Sequence, residues 1–157
     1  MHRAGFPSPG TSALRRGRRS EPGRCYLLTF TCKARAPLFS DATIARAAAR
    51  TLTERRLWRD SHLLCWVLMP DHWHGLIELS AAESLSTLAT RIKAISARTV
   101  AVAAERSGPV WASGFHDRAL RKDDDLLTAA RYIIRNPVRA GFCARVGDYP
   151  YWDAVWL

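Results

Sequence analysis

The chain runs to 157 residues with a formal net charge of +10, and most of its basic residues are arginine. Such a length suits one domain with a single substantial core, and arginine favours a nucleic-acid partner because its planar fork matches phosphate. No apolar run reaches the roughly 18 residues of a transmembrane helix and no sustained basic amphipathic helix points to a bilayer surface, so no membrane partner is expected.

Cys25, Cys32, Cys65 and Cys143 form no CxxC or other zinc spacing. They read as reduced, buried thiols. Seven residues apart in one strand, Cys25 and Cys32 point to opposite faces and do not pair. The N-terminal stretch is basic but lacks the apolar centre of a secretory signal, so a cytoplasmic, nucleoid-associated protein is expected.

Residues 1–24 carry six arginines, one acid, three prolines and four glycines. A segment so poor in large apolar residues is expected to be a flexible basic arm, with residues 25–157 forming the single folded domain. Arg15, Arg16, Arg18 and Arg19 cluster there. They are candidate phosphate contacts, the alternative being a tail without a role.

Cys25 to Cys32 is rich in aromatic and β-branched residues and predicts the first strand. Ser40 or Asp41 is placed to cap a helix running to about Leu57, with Ile44, Ala48 and Leu52 on its apolar side. Leu63 to Leu68 lacks polar alternation and predicts a central strand covered on both faces. A Pro70-Asp71 turn leads back into a strand ending near Leu79, which makes the two an antiparallel hairpin.

Glu83 to about Arg106 predicts the longest helix, its buried stripe made of Leu85, Leu88, Ile92, Ile95, Thr99 and Val102. Ser107-Gly108-Pro109 ends it, and an extended segment follows from Val110 to Leu120. A further helix is expected from Lys122 or Asp123 to Arg135, with three aspartates in its first turn and Asn136-Pro137 closing it. The tail from Tyr149 should pack back on the body. The order β-α-β-β-α-β-α predicts an α+β fold, a ferredoxin-like antiparallel sheet with helices packed on one face.

Two stretches carry the chemistry. In the strand after the turn, His72 and His74 project to one face and Trp73 to the other, so two imidazoles stand side by side. Alone, a His-x-His pair is a weak sign of metal binding. On the last long helix, Leu126, Leu127, Ala130, Ile133 and Ile134 form the core face, which turns Tyr132 to the far side with Asn136 one turn on. An outward tyrosine is commonly surface decoration. Facing a His pair, however, a phenol and an amide oxygen complete a different picture. Two imidazoles and one amide oxygen leave open positions on a divalent cation, and a phosphodiester placed there is open to attack by the phenolate.

Three motifs in order, Met69-Pro70-Asp71-His72-Trp73-His74, Trp111 with Gly114-Phe115-His116-Asp117-Arg118, and Tyr132-Ile133-Ile134-Arg135-Asn136-Pro137-Val138-Arg139-Ala140-Gly141, resemble the REP-associated tyrosine transposases. These belong to the HUH single-tyrosine transposases, and the likeness covers roughly Tyr26 to Trp152. The resemblance implies a helix bearing a nucleophilic tyrosine and an enzyme that cuts single-stranded DNA beside palindromic hairpins.

By that resemblance His72 and His74 bind Mg²⁺ or Mn²⁺, and Tyr132 is joined to the 5′ phosphate of the cut strand. Asn136 stands where transposon relatives carry a glutamine that completes the metal shell. Because the phosphotyrosine bond keeps the reaction reversible, strand transfer needs no nucleotide cofactor. Arg91, Lys93, Arg98, Arg118, Arg121 and Arg139 join the arm arginines as candidate DNA contacts. His116 is a possible third ligand, though a core or DNA-contact role is favoured. A monomer is expected, with a dimer as the alternative. The competing readings are a non-catalytic protein that binds DNA or RNA hairpins with the same fold, and a metalloprotein with a structural zinc.

Overall fold

The computed structural model describes residues 21, 23–121 and 124–156, so the basic cluster from Arg15 to Arg19 lies outside the described residues. Strand β1 (Cys25–Thr31) alternates between buried and half-buried residues. Tyr26, Leu28 and Phe30 enter one core, while Cys25 and Leu27 pack against a second core on the opposite side of the sheet. Cys32 joins the first core, so Cys25 and Cys32 do face opposite ways.

Strands β2 (His62–Met69) and β3 (His72–Glu78) form the expected hairpin, with Met69 opposite His72. With β4 (His116–Ala119) and β5 (Trp152–Ala154) they build a five-stranded antiparallel sheet in the order β4-β1-β3-β2-β5. β2 is internal and buried from Cys65 to Met69, as its unbroken apolar run requires, but β3 holds the middle of the sheet. The tail does pack back. It adds β5 beside β2, and the Tyr149 hydroxyl donates to the Leu68 carbonyl.

Helix α1 (Ala42–Leu52) starts at Asp41, whose carboxylate accepts from the Thr43 and Ile44 amides. It stops five residues short of Leu57. The Thr53 hydroxyl bonds the Ala49 and Arg50 carbonyls, and a separate turn, α2 (Arg55–Trp58), follows. Helix α3 (Leu85–Ala103), capped by Ser84, packs on α1. Its buried residues are Leu85, Leu88, Ala89, Ile92, Ser96 and Val100, and Val102 is 80% exposed. The expected stripe drifted because it followed the larger side chains. Steps of four from Leu88 keep one face, and the small Ala89 and Ser96 allow close approach. Ser96 is satisfied by donating to the Ile92 carbonyl and accepting from Trp111 Nε1.

Helices α1 and α3 lie over the aromatic core, whereas α4 (Leu126–Ile134) packs against β2 and β3 over the second. The fold is therefore α+β and antiparallel as expected, but its helices cover both faces. Asp125 caps α4 rather than lying in its first turn, and Asp124 bonds the Arg121 amide ahead of it. Among the described residues no helix is long and apolar enough to cross a membrane.

Helix α4 ends at Ile134 with Arg135 as its C-cap, just before Asn136-Pro137 as expected, and a separate turn, α5 (Asn136–Arg139), follows with the proline near its start. Pro137 has no N–H to offer the Ile133 carbonyl four residues back. The Asn136 side-chain amide donates to that carbonyl at 2.9 Å, and Pro137 itself stands in the first turn of α5, where a proline is tolerated.

Candidate active site

The site begins with Trp73, the residue between the histidines. Its ring is fully buried and stacks on Phe30 with centroids 5.1 Å apart. Gly75, two residues on and on the same face, makes room for it, since a Cβ there would lie 2.2 Å from the Trp73 ring. With Trp73 locked into the aromatic core, alternation forces His72 and His74 onto the opposite face, the one that α4 covers. Their rings stand edge to face with centroids 4.7 Å apart.

Each imidazole is held by its Nδ1. His72 Nδ1 lies 2.7 Å from Asp71 Oδ1, and His74 Nδ1 lies 2.7 Å from Thr29 Oγ1 on the neighbouring strand. Asp71 in turn meets the Arg35 guanidinium at 3.1 Å. Arg35 reaches it from a left-handed backbone conformation, φ +54°, which a non-glycine residue adopts at a cost of about 1–2 kcal/mol. Such anchoring leaves Nε2 of both rings as the atoms for a ligand, with ring orientation already set.

Burial lowers the pKa of His72, against the raising effect of the Asp71 hydrogen bond. Burial, then the charges of His72, Arg139 and Arg35, push His74 down to about 3. Both rings are therefore neutral near pH 7, the form that donates a lone pair to a metal.

On α4, Ala130 and Ile133 are buried, with Leu126, Ala129 and Ile134 packed beside them. Leu127, expected in the core, is 38% exposed because it sits at the margin of that arc. Tyr132 faces away from the core as expected, 41% exposed. Arg139 on α5 returns to it. Its guanidinium carbon lies 3.9 Å from the Tyr132 ring centroid, and one Nη donates to the Tyr132 carbonyl at 2.7 Å. The charge of the same guanidinium is among the causes that lower the His74 pKa, after burial and His72.

The candidate DNA contacts divide by face. Arg118 lies opposite Leu27, which packs into the second core, so it shares the face of the His pair, as does His116 opposite Thr29. Both are exposed, as is Arg121. α3 lies on the other face, and two of its cations are engaged. Arg91 forks onto Glu83 and donates to the Leu57 carbonyl, while the Lys93 ammonium bonds the Ala112 and Gly114 carbonyls. Arg98 stays exposed beside a shallow groove with Ala47 and Val102.

Two participants, and one contact of a residue already singled out, escape sequence reasoning. Thr29 is brought to His74 by long-range register, Arg35 by a local left-handed turn, and neither leaves a pattern in the chain. The Arg139 stack on Tyr132 had a signal. Seven residues are about two helical turns, so the pair shares a face if the helix continues through the proline.

The fold has known counterparts. Residues 24–136 match the model of the IS200-like transposases, and the chain belongs to that family, whose chemistry is DNA strand cleavage and transfer. Among solved structures it is similar to a REP-associated tyrosine transposase bound to a REP hairpin, with 24% identity and a TM-score of 0.66 over 86% of this chain and 79% of that one. It is also similar to a protein of Deinococcus radiodurans R1 assigned as a transposase, with 18% identity and a TM-score of 0.55, covering 78% of this chain and 95% of that one. These likenesses establish the shared fold. No curated protein matches the chain.

Proposed function

We propose that this transposase nicks and rejoins single-stranded DNA beside a palindromic, REP-like hairpin, using Tyr132 as nucleophile. The observation that supports the reading is the placement of the His72–His74 pair on the sheet face against which the tyrosine helix packs. The DNA hairpin held by the solved relative supports the substrate class.

The donor set fits a hard or borderline divalent cation. Two imidazole Nε2 atoms are pre-oriented, and Asn136, whose Nδ2 is spent on Ile133, has its Oδ1 left to offer. When bound, Mg²⁺ or Mn²⁺ would withdraw charge from the scissile phosphate and favour the phenolate. The chain's residues do the rest. Tyr132 Oη attacks phosphorus, the bond to the 3′ oxygen breaks, and that oxygen leaves as a hydroxyl by gaining a proton. The strand's 5′ phosphate is then an ester of Tyr132. Attack by a 3′ hydroxyl reverses the step, so no nucleotide cofactor is consumed. Arg118, Arg121 and His116, exposed on or beside the edge strand of the same face, hold the DNA backbone, and the chain acts as a monomer.

A labelled hairpin with a single-stranded flank, incubated with Mn²⁺, tests this. A denaturation-resistant protein–DNA adduct that vanishes in Tyr132→Phe is expected. Tight, salt-sensitive hairpin binding without any adduct would instead identify a non-catalytic binding protein.

A further inference from the structure

The remaining clusters are spent on the fold. Arg91 forks onto Glu83 and ties α3 to α2 by donating to the Leu57 carbonyl, the Lys93 ammonium pins the segment before β4, and the groove beside Val102 has nothing to say what covers it. Arg139 is different. Its contact with Tyr132 has no need to exist for packing, since both residues are exposed.

We propose that Arg139 is a positioning residue for the Tyr132 phenol, holding the ring by stacking beneath it and by gripping the backbone of the helix that carries it. This rests on the role of Tyr132 given above and goes beyond it. A free tyrosine side chain on a helix samples several rotamers, and attack on phosphorus requires one of them. A flat guanidinium 3.9 Å from the ring centroid restricts that choice, while its hydrogen bond to the Tyr132 carbonyl fixes where the guanidinium itself sits.

α5 follows α4 across the single residue Arg135, and the Asn136 side-chain amide donates to the Ile133 carbonyl at that junction. The rest of the guanidinium fork remains available to a phosphate oxygen held beside the ring.

A lysine retains the charge but has neither the flat face nor the fork. Two measurements on the full chain separate positioning from simple DNA attraction. With 3-fluorotyrosine incorporated, the Tyr132 fluorine resonance is identified by its loss in Tyr132→Phe. It is expected to shift towards the free-tyrosine position in both Arg139→Ala and Arg139→Lys, while the other tyrosine resonances stay in place and report an intact fold.

In single turnover with the Mn²⁺-loaded protein, adduct formation at saturating hairpin should fall about tenfold or more in both variants, with half-saturation changing less than about threefold. An unmoved Tyr132 resonance in Arg139→Ala overturns the inference. So does full recovery by lysine, or a loss confined to half-saturation. If the unsubstituted protein forms no adduct, the nucleophile reading fails first, a result distinguishable from an active protein indifferent to Arg139.

Discussion

The two faces of the sheet are built on different principles. One is an aromatic block in which Trp73, Phe30, Trp111, Trp58 and Phe39 touch ring to ring under α1 and α3. The other has a smaller core of aliphatic side chains, Cys65 and Met69, and keeps Thr29, His72 and His74 on the face against which α4 and α5 pack. Strand β3 belongs to both: Trp73 and Ile77 anchor it in the aromatic block, while His72 and His74 share the other face with Leu76, which is buried in the second core. The contrast teaches that a site can sit beside a small core on one face of a strand while a larger aromatic core on the other face holds the residue between its histidines.

Substitutions should therefore part into those that unfold the chain and those that silence it. Trp73→Ala should show the largest effect, a loss of about 3–5 kcal/mol in denaturant melts, because it empties the centre of the aromatic face. Arg91→Ala follows at about 1–3 kcal/mol near neutral pH, since it leaves the Glu83 carboxylate without its partner. The Arg91 hydrogen bond holds Glu83 below its ordinary pKa. This pair's contribution is thus fully present above the unfolded carboxylate pKa and lost as pH falls through the folded one, so the gap between the two proteins should close on acidification.

Asn136→Ala should cost about 1 kcal/mol by orphaning the Ile133 carbonyl. Adding Pro137→Ala should restore most of it, because the new backbone N–H supplies the donor; no recovery would show that Asn136 does not stand in for the proline. Smallest is Tyr132→Phe, expected within about 0.5 kcal/mol of the parent because the phenol is exposed, although adduct formation is abolished.

Much of this division was legible in the sequence. Period-two alternation put Trp73 opposite the two histidines, and the turn residues Pro70 and Asp71 made the hairpin. The 3.6 period turned Tyr132 outward. What stayed hidden depends on contacts between distant segments. The buried stripe of α3 was misplaced because Ala89 and Ser96 are buried for their smallness, which hydrophobicity does not mark. Helix α4 was assigned to the same face as the others because strand and helix order carries no information on which side a late helix returns. Arg91 and Lys93 read as free cations, yet Glu83 and the Ala112 and Gly114 carbonyls had already engaged them. Thr29 was invisible as the partner of His74 for want of the strand register.

The proximity of the phenol to the paired imidazoles can be measured without DNA. Mn²⁺ is titrated into the 3-fluorotyrosine protein while the Tyr132 fluorine line is followed. The account predicts that this line broadens as the ion binds, and that His72→Ala and His74→Ala abolish the broadening. A Tyr132 line that keeps its width while Mn²⁺ saturates the histidines would contradict it.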